Sequence, residues 1–173
     1  MSRDHIQRQL DALEHIHYEF QMFIELAPMS IEGCQVLSNA ILESWLIHSR
    51  NLDEFLKQQD PDEAKTDDVL AAHFGIMPDR RILSSENRKR ANKEVAHLTY
   101  KRFSDVTYKK WNKVEIYMDI WPKLRDALGQ LLKWIEYQPS AQHRKDGFVV
   151  VLEKGDEVFR QLTQTTLELD IDK

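Results

Sequence analysis

The sequence predicts an all-α fold, a single-domain antiparallel bundle of five to six helices that occupies residues 1–173. Only 5 Gly and 5 Pro interrupt the chain, so long stretches contain no helix-breaking residue. Within these stretches the apolar side chains recur every three or four positions, which is the spacing of one helix face. The chain is also long enough, and with 42% hydrophobic residues apolar enough, to bury one core.

The N-terminal third is predicted to form two helices. The first spans residues 3–27 and ends before Pro28, and its apolar face holds Ile6, Leu10, Leu13, His17, Phe20, Ile24 and Ala27. Ser30 is predicted to cap the second helix, which continues to about Lys57. This helix is apolar round most of its circumference, so we expect it to be the central helix. Its remaining polar strip consists of Asn39, Glu43, Arg50 and Asp53.

An acidic loop over residues 58–68 separates these two helices from the rest of the chain. A short helix is predicted for Asp68–Phe74, and Gly75 and Pro78 follow it as turn residues. A longer helix is then predicted to begin at Ser84 or Ser85 and to run to residue 104. Residues 105–110 form a short connection.

Two more helices complete the predicted bundle. The first covers residues 111–136 and contains Pro122 inside a regular apolar pattern, where we expect a kink. The second begins with FVVVL at residues 148–152, which has strand propensity. Because the chain has no other strand with which this segment could pair, we interpret it as part of a helix that ends in a frayed acidic tail.

Composition limits where the protein is expected to act. No apolar run reaches the roughly 20 residues that span a bilayer, and the N-terminus MSRDHIQRQL lacks the apolar core of a signal peptide. Cys34 is the only cysteine, so no internal disulfide can form, as is usual in a reducing compartment. We therefore expect a cytoplasmic protein with no membrane partner.

Charge is distributed unevenly along the chain. The basic segment, defined here as residues 80–113, carries 11 Lys and Arg against 3 acidic residues, a net charge of +8. The whole chain has a net charge of −5, so the remaining residues carry −13. A local basic surface on an acidic protein is typical of a site for nucleic acid or another anionic partner.

The helix predicted inside the basic segment has an outward row of charged side chains. At about 100° per residue, Arg90, Lys93 and Lys101 lie within about 40° of His97. An imidazole flanked by cations is disfavoured in its protonated form, so His97 can act as a base beside a cradle for phosphate. The alternative is a solvated helix face that happens to carry a histidine. Arg102 lies on the apolar side instead, and we expect it to form a structural ion pair with Glu43.

These residues resemble a known family. An all-α bundle of this size with Arg-x6-His on a late helix, here Arg90 to His97, resembles the HEPN superfamily of small helical domains, many of which are toxin or antiviral ribonucleases. The resemblance implies a homodimer whose two Arg/His pairs face each other in a cleft and cleave RNA without a metal ion. His97 would be the acid/base, Arg90 would stabilise the phosphate charge, and Asn92, Lys93 and Lys101 would bind RNA. Asn92 could instead take the first place of the motif, at a shorter spacing.

Two other classes of function remain open from the sequence. One is a non-enzymatic protein-interaction module, in which the basic segment docks an acidic partner such as residues 53–68 of another copy. The other is a di-iron or small-ligand bundle built on the Glu-x-x-His pairs Glu14–His17 and Glu94–His97. Glu14 lies off the apolar stripe that holds His17, and cations surround the second pair, so no metal ion or other cofactor is predicted.

The remaining candidate is a histidine on an apolar face. His48 lies among Ile41, Trp45, Leu52 and Phe55, which favours a buried imidazole hydrogen-bonded to a neighbouring helix. Alternatively, His48 lines a polar pocket inside the bundle together with Ser44 and Asn51. The same two interpretations apply to His17.

Overall fold

All regular structure in the described part of the chain is helical. The computed structural model describes residues 3–57, 68–77, 81–92 and 111–171. The α-helices in these ranges are α1 (Arg3–Leu26), α2 (Gln35–Phe55), α3 (Ser85–Arg90), α4 (Lys113–Glu136) and α5 (Lys145–Ile171). Short 3-10 helices occur at Ala71–Phe74 and Pro139–Arg144. The all-α class is therefore confirmed, and FVVVL lies inside a helix as predicted.

The core is built mainly from α1, α4 and α5. Helix α4 packs against α5, and α1 packs against both α2 and α5. A column of aromatic rings crosses the helices: Phe23 of α1 stacks on Trp45 of α2 and on Tyr117 of α4, with ring centroids 5.5 and 5.2 Å apart. Tyr117 in turn stacks on Trp121 at 6.0 Å. Burial of these rings and of the leucines along α4 supplies most of the apolar contact that holds the helices together.

Among the described helices α2 is not the central one, which differs from the expectation drawn from its apolar pattern. Most of the buried side chains of α2 lie in its second half, but Val36 and Leu37 in the first turn are 77% and 50% exposed, and Ile47 is 45% exposed. Among the described helices α2 packs mainly on α1. Apolar residues round a whole helix predict many neighbours, yet no neighbour in the described ranges buries Val36 or Leu37.

The start of α2 also differs from the prediction that Ser30 caps it. The helix begins at Gln35, with Cys34 at the N-cap position and no side-chain cap. Gly33 has a φ of +78°, a backbone conformation that glycine adopts without strain, and it turns the chain just before the helix. Ser38, one turn inside α2, donates its hydroxyl to the carbonyl of Ile31 at 2.6 Å and ties this turn to the helix.

The ends of the other helices agree more closely with the sequence. Helix α1 ends at Leu26, two residues before Pro28. The Lys113 ammonium at the start of α4 donates to the carbonyl oxygens of Leu26 and Met29 at 3.2 and 2.5 Å. Burial lowers the pKa of Lys113. This contact satisfies carbonyls at the end of α1 and joins the ends of two helices.

Helix α4 is continuous across Pro122, and the kink expected there stays a prediction.

Tyr117 makes stability sensitive to alkaline pH. Its hydroxyl donates to the carbonyl of Gly155 in α5 at 3.1 Å, and burial, assisted by the charge of Asp156, raises its pKa well above the ordinary value. The unfolded chain therefore loses this proton near pH 10 while the folded chain keeps it. The stabilising contribution is complete below pH 10 and falls by about 1.4 kcal/mol per pH unit above it.

Urea unfolding between pH 8 and 11 tests this dependence. We expect the stability of Tyr117→Phe to fall less steeply above pH 10 than that of the wild type. Tyr137→Phe is the matched control, because Tyr137 is exposed and should leave the wild-type slope unchanged. Equal slopes for the wild type and Tyr117→Phe would contradict the assignment.

Candidate functional site

The described part of the basic segment begins with a well-capped helix. The Ser84 hydroxyl accepts a hydrogen bond from the backbone N–H of Asn87 at 3.1 Å, and Glu86 lies in the first turn. Both features stabilise a helix N-terminus. The predicted start at Ser84 or Ser85 is confirmed. The helix is described as far as Asn92, and its predicted continuation to residue 104 lies outside the described residues.

A buried carboxylate anchors this helix to the end of α2. The Asp53 side chain is fully buried. Its Oδ2 accepts from Nη1 of Arg81 and Nε of Arg88, both at 2.8 Å, and its Oδ1 accepts from the backbone N–H of Leu83 at 2.9 Å. We call this arrangement the Asp53 clamp. Through Asp53 of α2, the clamp holds both the residues that precede α3, Arg81 and Leu83, and the first turn of α3 at Arg88.

The Asp53 clamp extends to the surface through a second carboxylate. Nη1 of Arg81 also donates to Glu54 at 2.8 Å. Burial alone would lower the pKa of Arg81, but the hydrogen bonds to Glu54 and Asp53 together raise it above its ordinary value. A buried ion pair needs such additional hydrogen bonds to offset the loss of hydration. Arg81 and Arg88 therefore hold the fold together.

The clamp also joins the acidic and the basic segments within one chain. Asp53 and Glu54 belong to the acidic residues 53–68, which the sequence offered as a docking surface for another copy. Asp68 accepts from Lys57 at 3.3 Å. These three acidic side chains are thus bound to cations of their own chain, and the other four acidic residues of 53–68 lie outside the described residues.

Arg90 is the described member of the predicted Arg/His pair. It is half-buried, and its guanidinium lies over the ring of Trp111 at 4.0 Å from the centroid. Trp111 itself is partly buried and packs against the core. Arg90 therefore does not extend freely from an outward helix face. A cation–π contact holds its planar group in one orientation.

Asn92, the first residue predicted to bind RNA, is half-buried and follows Ala91, which is buried. The Oδ1 of Asn92 is shielded from solvent and accepts no hydrogen bond. The backbone is π-helical at Ala91 and Asn92, a feature that recurs at functional sites. The other predicted site residues, Lys93, His97 and Lys101, lie outside the described residues, as do Glu94 and Arg102, the expected partner of Glu43.

His48 fulfils the prediction of a buried histidine bonded to a neighbouring helix. It is 7% exposed, and its Nδ1 lies 2.7 Å from Oε2 of Glu19 on α1. Asn51 donates to the other oxygen of Glu19 at 3.1 Å. Glu19 is not one of the apolar residues that define the predicted face of α1, so no sequence pattern pointed to this contact. His17 is half-buried and meets Phe148 of α5 edge-on, with centroids 5.2 Å apart.

Metal-binding groups do not gather in the described ranges. No set of three His, Cys, Asp or Glu side chains there is arranged to hold a metal ion. Glu14, from the first Glu-x-x-His pair, is exposed and lies 3.5 Å from Arg144.

In the described ranges, no helix is both long enough and apolar enough to cross a membrane.

No protein-family model, curated protein or solved structure matches this chain.

Proposed function

We propose that this protein binds RNA through its basic segment and, as a HEPN-like homodimer of antiparallel helical bundles, cleaves the bound strand without a metal ion. The observation that carries the proposal is the position of Arg90, whose guanidinium is held flat on Trp111 at 4.0 Å within a segment of net charge +8. A guanidinium stacked on an indole is held in one plane, and a planar, oriented guanidinium is the group that recognises phosphate best. The same stack offers a surface on which an unpaired base can lie.

In the proposed RNA cleavage, His97 and Arg90 have separate roles. His97 accepts the proton of a ribose 2′-hydroxyl, whose oxygen attacks the adjacent phosphorus. The bond from phosphorus to the 5′-oxygen breaks, and this oxygen takes up a proton. The products are a 2′,3′-cyclic phosphate and a 5′-hydroxyl. Arg90 stabilises the negative charge that develops on the phosphate oxygens.

Some cations of the basic segment are bound to other groups of the fold, and the others are the ones expected to contact RNA. Arg81 and Arg88 are bound to Asp53, and Lys113 is bound to carbonyls of the first helix and the following turn. RNA contact is therefore expected from Lys89, which is exposed, and from Arg90, Asn92, Lys93 and Lys101. The clamp contributes by holding the first turn of α3 in a fixed position.

Cleavage of single-stranded RNA in the presence of EDTA tests the proposal. We expect the wild type to cleave, His97→Ala to lose about 100-fold or more of the rate because a general acid/base is removed, and Arg90→Lys to lose about tenfold because the planar stack is lost. The measurement is the rate of appearance of products that end in a cyclic phosphate.

Lys133→Ala is the matched control, since Lys133 is an exposed cation of α4 outside the basic segment. It should cleave and bind like the wild type. Equal cleavage by the wild type and His97→Ala would remove His97 from the mechanism, and absence of RNA binding by the wild type would end the proposal as a whole. Sedimentation should give twice the chain mass of 20.5 kDa.

A second candidate function is a non-enzymatic interaction module. It is favoured by three exposed apolar side chains of α2, Val36, Leu37 and Ile47. Apolar side chains grouped on one exposed surface are a feature of protein-interaction sites. The RNA assays separate the two candidates, because an interaction module of this kind would neither bind nor cleave RNA.

A further inference from the structure

A groove of about 300 Å³ lies between α1 and the end of α2, outside the proposed RNA site. Its apolar lining comes from Ala12 and Ile16 of α1 and from Leu52 and Phe55 of α2, and Leu70 adds a further apolar wall. This volume is at the lower end of the range for small-molecule sites, which combine an apolar lining with a few fixed polar groups.

The fixed polar group of this groove is the Glu19 carboxylate. One of its oxygens is 2.7 Å from Nδ1 of His48, and the other accepts from Asn51 at 3.1 Å. The Glu19 side chain is 24% exposed. Two hydrogen bonds from α2 therefore hold the carboxylate in one position, while part of it stays open to the groove. A charge fixed in a partly apolar site interacts more strongly than one on a mobile surface side chain.

The other charged groups of the groove largely neutralise one another. The Lys57 ammonium lies 3.3 Å from Asp68 and 3.8 Å from Glu54. Glu54 is also bound to Arg81. Glu19 has no such partner among the Lys and Arg residues that the structure describes. Among the described residues that line the groove, the three carboxylates of Glu19, Glu54 and Asp68 outnumber the one ammonium group of Lys57, which favours a cationic ligand and disfavours an anionic one.

We propose that this groove binds a small organic amine, whose ammonium group donates to Glu19 and whose apolar body lies on Ala12, Ile16, Leu52 and Phe55. The shape supplies the contact for the apolar body, and the fixed carboxylate supplies the preference for a positive charge. This proposal is independent of the RNA site, because Asn92 and Arg90 do not line the groove.

Calorimetric titration with three probes of similar size tests the proposal. The probes are phenethylamine, which is cationic, 2-phenylethanol, which is neutral, and 3-phenylpropionate, which is anionic. We expect the wild type to bind phenethylamine at least about tenfold more tightly than 2-phenylethanol, the range for one hydrogen bond to a charged group. 3-Phenylpropionate should bind most weakly. Glu19→Gln should remove most of the preference for the amine.

Glu14→Gln is the matched control, because Glu14 is an exposed glutamate of the same helix outside the groove. It should leave all three affinities unchanged. A second variant, Ala12→Leu, keeps every charge and narrows the groove, so it should weaken phenethylamine and 2-phenylethanol alike. The melting temperature of each variant shows that it is folded.

The proposal is overturned if phenethylamine binds the wild type no more tightly than 2-phenylethanol does. It is also overturned if Glu14→Gln weakens amine binding as much as Glu19→Gln, or if Ala12→Leu leaves every affinity unchanged. Ribonuclease assays on the same variants keep the two proposals apart, since Glu19→Gln should cleave RNA at the wild-type rate.

Discussion

Replacing Asp53 with Ala is expected to lower the free energy of unfolding by about 3 kcal/mol, a large fraction of the stability of a domain of this size. The carboxylate is fully buried and accepts hydrogen bonds from Arg81, Arg88 and the backbone N–H of Leu83. Its removal leaves two guanidinium groups and one buried N–H without their acceptor. The value is at the lower end for a broken buried ion pair, because Arg81 and Arg88 are 30% and 29% exposed and water reaches both.

Two further variants separate the charge of Asp53 from its hydrogen bonds. Asp53→Asn retains an oxygen that can accept from Leu83 but loses the negative charge, so its effect should be smaller than that of Asp53→Ala. Glu54→Gln is the control, because Glu54 is 44% exposed and binds Arg81 at the surface. Its effect should stay within about 1 kcal/mol, the usual range for surface ion pairs.

The measurement is urea unfolding, combined with amide hydrogen exchange over residues 81–92. In Asp53→Ala we expect faster exchange in α3 than in α4, because the clamp holds α3 on α2, whereas α4 packs mainly against α5. RNA binding should also weaken, although no RNA contact is removed. If Asp53→Ala has the same free energy of unfolding as the wild type, the clamp contributes nothing to stability.

The sequence predicted well those features that depend on local pattern. The predicted helix 3–27 is observed as Arg3–Leu26, and 111–136 is observed as Lys113–Glu136. Both have apolar side chains at regular helical spacing and a recognisable break at the end. The serine cap at the start of α3 was predicted for the same reason, since a cap depends on residues within one turn.

The pairing of distant residues could not be predicted in this way. Asp53 lies 28 residues before Arg81 and 35 before Arg88, and the helical wheel of α2 placed it on a polar strip. The wheel shows which residues share a face but not which neighbour covers that face. For the same reason the wide apolar surface of α2 predicted a central helix, whereas Val36 is exposed.

The candidate site shows the same limit on a smaller scale. The wheel of the basic helix assumed about 100° per residue throughout, but the backbone becomes π-helical at Ala91 and Asn92. A π turn has more residues per turn and changes the angle between residues on its two sides. Arg90 also contacts Trp111, which is 21 positions later in the sequence, and no helical periodicity indicates this interaction.

Gly155→Ala is expected to destabilise the protein by about 3 kcal/mol, the upper part of the usual range for overpacking a core. A Cβ atom at Gly155 would lie 2.0 Å from Cη2 and 2.3 Å from Cζ2 of Trp121, well inside contact distance. Trp121 cannot move aside easily. Its Nε1 donates to Asp156 at 3.0 Å, and its ring is stacked on Tyr117.

Gly129→Ala is the matched control for this change, since Gly129 also lies inside a helix but has no atom within 4 Å of an added Cβ. Alanine in a helix is favoured over glycine by roughly 0.5–1 kcal/mol, so this variant should be more stable than the wild type. Thermal unfolding followed by tryptophan fluorescence measures both. Because the two substitutions add the same methyl group to the same kind of backbone, the difference between them isolates the contact with Trp121. Stabilisation by both variants would mean that α4 and α5 do not approach each other at Gly155 as closely as described.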